Sequence, residues 1–186
     1  MTPDRPVGIV LTGGASTRMG VDKATLVVDG KPLVVRVADA LWEASCHPVE
    51  CQGGDPVAIA EYGLDAHPDA QPGGGPVAAI RDALDRHAGS NVVVAACDLV
   101  DLDAGTVGAV LEAAGDDADV AVATTDGERH LLAWWRAGSA ERLDEALDAG
   151  VRSFRGALER LETTDVAVAP AAVRNLNSPT DVDDRG

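Results

Sequence analysis

The run Asn91-Val-Val-Val-Ala-Ala-Cys97 constrains the fold more than any other stretch of this chain. An apolar run this short and rich in β-branched residues reads as a strand covered on both faces, which is the situation of a central strand in a parallel sheet. Asp98 follows at once and sets a carboxylate at the carboxyl end of that strand. A second apolar run, Val7-Gly-Ile-Val-Leu11, ends in the loop Thr12-Gly-Gly14. In open α/β sheets ligands bind beyond the carboxyl ends of the strands, so both ends are candidate sites.

Hydrophobic spacing fills in the rest. Pro32 suits the first turn of a helix that carries Leu33, Val37, Ala40 and Leu41 at helical intervals. Val49 to Cys51 reads as a strand closed by Gly53-Gly54, followed by a short helix over 55–62 and a short strand over 64–67. Three prolines and Gly73-Gly74-Gly75 make 68–76 a loop, after which Val77, Ile80, Leu84 and His87 share one helical face. Beyond Asp98 the pattern predicts a helix over 103–114, a strand over 119–124 and an apolar run at 131–135. Helices near 139–149 and 153–161 and a last strand over 166–168 complete it. This β–α alternation predicts an α/β fold with a mostly parallel sheet and helices on both faces. With 186 residues, no repeat period and no linker, the chain reads as a single domain over 1–186.

Charge narrows the partners. The net charge is −16, and it is unevenly placed: residues 1–40 carry five basic and four acidic side chains, the remaining 146 carry ten and 27. Such an acidic surface argues against nucleic acid and against anionic membranes. The two lysines of the chain, Lys23 and Lys31, both lie near its start, which is where an anionic ligand would bind. Three cysteines, none in a C-x-x-C pair, argue against a disulfide framework or a cysteine zinc site. The first residues, MTPDRP, lack a basic segment followed by an apolar one, so the expectation is a soluble cytoplasmic protein.

The loop Leu11-Thr-Gly-Gly-Ala-Ser-Thr-Arg-Met-Gly-Val-Asp-Lys23 fits neither G-x-x-x-x-G-K-[ST] nor G-x-G-x-x-G. It nevertheless holds what an anion site needs. Gly13 and Gly14 allow backbone N–H groups to approach phosphate oxygens with no Cβ in the way. Ser16 and Thr17 offer hydroxyls, Arg18 a bidentate fork and Lys23 a mobile point charge. The same composition also suits an ordinary glycine-rich turn with surface charges.

The pattern L-x-G-G-x-S-x-R-M-G-x-D-K at the first strand–loop resembles the signature of the MobA-like nucleotidyltransferases, and within them the molybdenum cofactor guanylyltransferases. Further stretches agree in order: Asp29-Gly-Lys-Pro-Leu33, Gly75-Pro-Val-Ala-Ala79, Cys97-Asp98, Ala149-Gly-Val-Arg-Ser153 and Asn175-Leu-Asn-Ser-Pro179. The resemblance extends over nearly the whole chain. It implies a Rossmann-like three-layer sandwich that transfers GMP from GTP to the phosphate of molybdenum-molybdopterin, with Mg²⁺ as cofactor. It further implies that Arg18 and Lys23 hold the triphosphate, that Asp98 binds the metal, and that Leu11, Thr12, Gly13 and Gly14 border guanine and sugar. Asp69 and Gly75 fall where the family contacts the nucleotide, and Asn175 and Asn177 fall on the pterin side. Molybdenum cofactor assembly proteins and acceptor molybdoenzymes would be its protein partners. A related enzyme using CTP or another phosphorylated acceptor, or a non-catalytic nucleotide-binding homologue, stands as the alternative.

The chain departs from the family in places. Cys97-Asp-Leu-Val-Asp101 replaces the usual C-D-M-P-F, and Cys51 or Gln52 stands where an asparagine is often found. Asp101 reads as a loop or N-cap residue before helix 103–114, with a second metal ligand as the other reading. His47, His67, His87 and His130 read as isolated, and Trp134-Trp135 as core.

Overall fold

The computed structural model describes residues 5–13, 23–115 and 117–176. Strand β1 (Val7–Leu11) is buried at all five positions. A short 3₁₀ turn at Lys23–Thr25 leads to the two-residue strands β2 (Val27–Val28) and β3 (Lys31–Pro32), which pair antiparallel around Asp29-Gly30. Both turn residues have positive φ, 49° and 77°, the geometry a tight hairpin turn requires. Helix α1 (Leu33–Glu43) follows, with Pro32 at its N-cap.

Then come β4 (Val49–Gln52), α2 (Pro56–Ala60), β5 (Ala66–His67), α3 (Gly75–Arg86), β6 (Val92–Ala96) and α4 (Ala104–Glu112). Strands β7 (Val120–Thr125) and β8 (Glu128–Trp135), helices α5 (Ser139–Asp148) and α6 (Phe154–Leu158), and strand β9 (Thr163–Ala167) complete the order.

Seven strands form one sheet in the order β5-β4-β1-β6-β8-β7-β9. Every pairing is parallel except those of β8, which runs against both β6 and β7. The sequence patterning shows 119–124 and 131–135 as two apolar segments, and the structure joins them as a hairpin. The turn is Asp126-Gly127, with φ of 50° and 82°. β8 starts earlier than its apolar run because Glu128, Arg129 and His130 lie on its more open end.

The sheet separates two cores. On one face Val10, Cys51, Val93 and Leu132 meet α1 through Val34, Val37 and Leu41, and α4 through Val107 and Val110. On the other, Ile9, Val94, Val122 and Trp135 meet α3 through Val77, Ile80 and Leu84, with α5 and α6 beside it. Alternate residues of β1 and β6 therefore point into different cores. That two-sided burial is the physical content of their unbroken apolar runs. Helix–sheet–helix layering makes this a single-domain, three-layer α/β sandwich. Among the described residues no helix is long and apolar enough to cross a membrane.

The chain moves outward from β1 through β4 to β5, then returns to place β6 on the other side of β1. The break in strand order lies between β1 and β6, where the fold leaves a crevice at the carboxyl ends of the strands.

Candidate active site

Four parallel strands end at this crevice. In register, Leu11 lies beside Ala96 on one side and Gln52 on the other, and Gln52 lies beside His67. The Cys97 N–H donates to the Leu11 carbonyl at 3.1 Å and carries the β1–β6 pairing one step further. The residues leaving these strands, Thr12-Gly13, Gly53, Pro68-Asp69 and Asp98, are thereby brought to one edge of the sheet.

Between β1 and β4 the backbones are in contact. A Cβ placed on Gly53 would stand 2.6 Å from both Cα and N of Gly13, and φ at Gly53 is +84°. A Cβ on Gly13 would stand 2.8 Å from Asp69 Oδ2. Only glycine fits at Gly53, where φ is positive and the neighbour is backbone; at Gly13 a Cβ would push the Asp69 carboxylate aside. The buried Thr12 locks the junction: its hydroxyl donates to the Gly53 carbonyl at 2.7 Å and lies 3.2 Å from that of Gln52. The N–H groups of Thr12 and Gly13 both donate to the Gln52 carbonyl, at 2.9 and 3.2 Å. Gly13 thus contributes the absence of a side chain; its N–H is engaged within the sheet and does not open toward a ligand. Leu11 is buried and presents backbone alone.

Across the crevice, Lys23 Nζ lies 3.2 Å from Asp98 Oδ2, with about a fifth of each side chain exposed. The C-terminal segment braces this loop. The Leu176 N–H donates to the Asp98 carbonyl at 2.9 Å, and Leu99 bridges to Asn175. Asn175 is thereby set next to the Asp98 loop.

Asp101 lies in the turn before α4, as the loop reading expected, and is not its N-cap. The N-cap of α4 is Asp103, which accepts from Thr106 N at 2.8 Å. Asp101 instead pairs with Arg174 at 2.6 Å. Gly75, at φ +70°, opens α3 against the Arg152 carbonyl, which a Cβ would approach to 2.5 Å. Its geometry is explained by that close packing between the Gly75 and Ala149–Ser153 motifs. Of the other residues singled out in the sequence, Gly14, Ser16, Thr17, Arg18 and Asn177 lie outside the described residues. Trp134 and Trp135 pair with Val93 and Val92, at the opposite end of β6 from Asp98, and so lie away from the crevice.

Two features escaped the sequence reading. The Gln52 side chain is fully buried, accepting from Arg86 Nη2 at 2.7 Å and facing the Pro68 carbonyl and Asp69 Oδ1 with its amide nitrogen at 3.3 and 3.4 Å. His67 and His87 are not isolated. Their Nε2 atoms lie 3.2 and 2.9 Å from the same oxygen of Glu50, which Arg86 Nε also meets at 3.3 Å. Burial pushes the Glu50 carboxyl up, but the His87 hydrogen bond and the charges of His87, His67 and Arg86 outweigh it and hold its pKa below the ordinary value. Residues 16 to 37 positions apart make these contacts, so no local spacing announces them.

The model of the MobA-like NTP transferase domain family matches residues 8–164. The molybdenum cofactor guanylyltransferase of Cereibacter sphaeroides is 33% identical over 182 residues, covering 96% of this chain and 94% of the relative. A probable molybdenum cofactor guanylyltransferase of Mycobacterium marinum is 29% identical over 182 residues, covering 94% and 90%. Among solved structures, molybdopterin-guanine dinucleotide biosynthesis protein A of Archaeoglobus fulgidus matches with a TM-score of 0.75 and 26% identity over 95% of both chains. The matched span takes in every strand that ends at the crevice, together with the loop that carries Lys23 and the turn that carries Asp98. By sequence and by fold alike, this chain belongs to the MobA-like NTP transferase domain family.

Proposed function

We propose that this chain is a molybdenum cofactor guanylyltransferase, which transfers GMP from GTP to the phosphate of molybdenum-molybdopterin and releases pyrophosphate. The observation that carries this reading is the Lys23–Asp98 pair at the strand-order break, beside the side-chain-free Gly13–Gly53 contact. Near full-length similarity to proteins of that name supports it.

The chemistry asks little of a general base. The acceptor phosphate is already an anionic nucleophile, so catalysis rests on alignment and on neutralising charge. Lys23 and Arg18 would hold the triphosphate and the charge that grows on the leaving pyrophosphate. Leu11, Thr12, Gly13 and Gly14 would border guanine and sugar, at the end of β1 that the Gly13–Gly53 contact packs against β4. Asp69 would take the polar edge of the nucleotide, and Gly75 would fix the start of α3 behind it. Asn175 and Asn177 would face the pterin.

Asp98 fits a magnesium site. It offers one partly open carboxylate, and among the described residues no group of three or more metal-ligating side chains surrounds a common point. Mg²⁺ is commonly held by one or two carboxylates together with substrate phosphates and water. Bound there, Mg²⁺ would neutralise phosphate charge. Lys23 would release Asp98 as it turns to the triphosphate. Assembly proteins that deliver the pterin and molybdoenzymes that receive the product are the protein partners this reading implies.

The test is a product assay with Mg²⁺, molybdenum-molybdopterin and each of GTP, CTP and ATP in turn. Pyrophosphate release with a guanine dinucleotide formed from GTP alone is the expected result. A cytosine dinucleotide would keep the mechanism and change the substrate. Folded protein that binds GTP and forms no product would overturn the assigned reaction.

A further inference from the structure

We propose that Arg86, which lies at the end of α3 and touches Gln52 and Glu50, is a positioning residue of the nucleotide site. It orients the Gln52 amide so that Asp69 meets a hydrogen-bond donor. The inference rests on the assignment of Asp69 to the nucleotide.

A side-chain amide can be turned either way round, and only its partners decide which end is oxygen. Here they decide it without ambiguity. Arg86 is donor-only, so the end of Gln52 that it contacts at 2.7 Å must be Oε1. The amide nitrogen is then directed at the Pro68 carbonyl and Asp69 Oδ1, both acceptors. Turned the other way, the amide oxygen would face a carbonyl and a carboxylate, and its nitrogen would face a guanidinium. Gln52 is fully buried, so water cannot compensate such an arrangement. Glu50 holds the other side of Arg86, at Nε, and is itself held by His67 and His87. The guanidinium is therefore fixed from behind and acts forward through one amide.

Removing Arg86 leaves the buried Gln52 oxygen without its partner and the side chain without its anchor, so the amide nitrogen is no longer held against Asp69. Asp69 then loses a fixed donor. Its carboxylate lies against the Gly13–Gly53 contact, where a shift of the carboxylate changes the space left for a ligand. Arg86 thus governs nucleotide affinity without touching the nucleotide.

The test is a double-mutant cycle on GTP affinity, measured by calorimetric titration in the presence of Mg²⁺, with kcat and KM followed in parallel. Arg86→Ala should weaken GTP binding about tenfold, raising KM with kcat held within about twofold. In an Asp69→Ala background the same substitution should add less than about a twofold change. Multiplicative losses in the double variant would overturn the inference, because they would show Arg86 acting independently of Asp69. A wild-type Kd in Arg86→Ala, with Asp69→Ala impaired, would overturn the inference alone. A wild-type Kd in Asp69→Ala would overturn both the inference and the assignment of Asp69 to the nucleotide. Should Arg86→Ala not fold, Gln52→Met, apolar and close in volume, runs the same cycle against Asp69→Ala.

Discussion

Lys23 and Asp98 are 75 residues apart in the chain, and their charged groups lie 3.2 Å apart where β1 and β6 end side by side. The pair joins the 3₁₀ turn at Lys23–Thr25 to the turn after β6, the central strand. In the proposed reaction each partner would meet the triphosphate from a different side. The two charges now neutralise each other; bound phosphate oxygens would compete for Lys23 and free the carboxylate.

Lys23→Ala and Asp98→Ala should each lower turnover about 10²–10³-fold, the usual cost of removing one charge-stabilising group. Both variants should stay folded, since the partner left behind keeps about a fifth of its side chain in water and can be solvated there. Pyrophosphate release together with thermal unfolding checks both halves. Normal turnover in either variant would take that side chain out of the mechanism.

Asp101 is the control for Asp98. It is paired with Arg174, whose side chain is more than half exposed. Asp101→Asn should leave turnover within about twofold and stability within ~1 kcal/mol. A loss matching that of Asp98→Ala would assign Asp101 to the catalytic centre as well.

Gly53→Ala and Gly63→Ala share a positive φ, +84° and +75°, but differ in surroundings. At Gly63 nothing lies within 4 Å, so only the left-handed backbone costs, about 1–2 kcal/mol. At Gly53 the new Cβ would also collide with Gly13 backbone at 2.6 Å. Denaturant titration should rank Gly53→Ala clearly below Gly63→Ala, and GTP affinity should fall in the first variant alone. Equal destabilisation would show that β1 and β4 can move apart freely.

Glu50 carries a pH signature. Its folded pKa is held below the ordinary carboxylate value, so its contribution to stability is complete above the unfolded value of ~4.3 and is lost as pH falls through the folded one. The stability difference between wild type and Glu50→Gln should therefore be largest near neutral pH and shrink under acid. Urea unfolding of both proteins along a pH series measures it. A difference that grows as pH drops would have the wrong sign for this assignment.

Cys46 and Cys51 are buried, and burial pushes both thiols up to about 12; for Cys51 the Glu50 charge adds to the effect. At pH 8 the thiolate fraction is then on the order of 10⁻⁴, against roughly a quarter for a free thiol. Iodoacetamide should leave the two peptides unmodified in the native protein and alkylate both in guanidinium, as mass spectrometry would read. Rapid native labelling would mean that the α1–β4 region opens.

Periodicity reported the strands and helices because each residue's neighbours along the chain reveal which side faces a core. Val92 to Ala96, Leu33 to Leu41 and Val77 to Leu84 show this directly. The candidate residues at strand ends were legible for the same reason: a buried apolar run followed by Asp98 or Thr12-Gly13 marks where a sheet meets solvent. The β7–β8 hairpin was less visible, since its Asp126-Gly127 turn is two residues long and the polar start of β8 breaks the pattern. The histidines looked isolated because Glu50, His67 and His87 share no local spacing.

The amino-acid sequence by itself determined the layered α/β class, the acidic surface, and the chemical types present at the ends of β1 and β6. Composition and short-range spacing carry that information directly. Only the tertiary structure decided that Lys23 meets Asp98, that Asp101 meets Arg174, and that Arg86 turns Gln52 toward Asp69. Those pairings depend on strand order and register. Both are set by how whole faces pack across the sheet, and a local repeat of two or 3.6 residues is the same whichever strand lies next door.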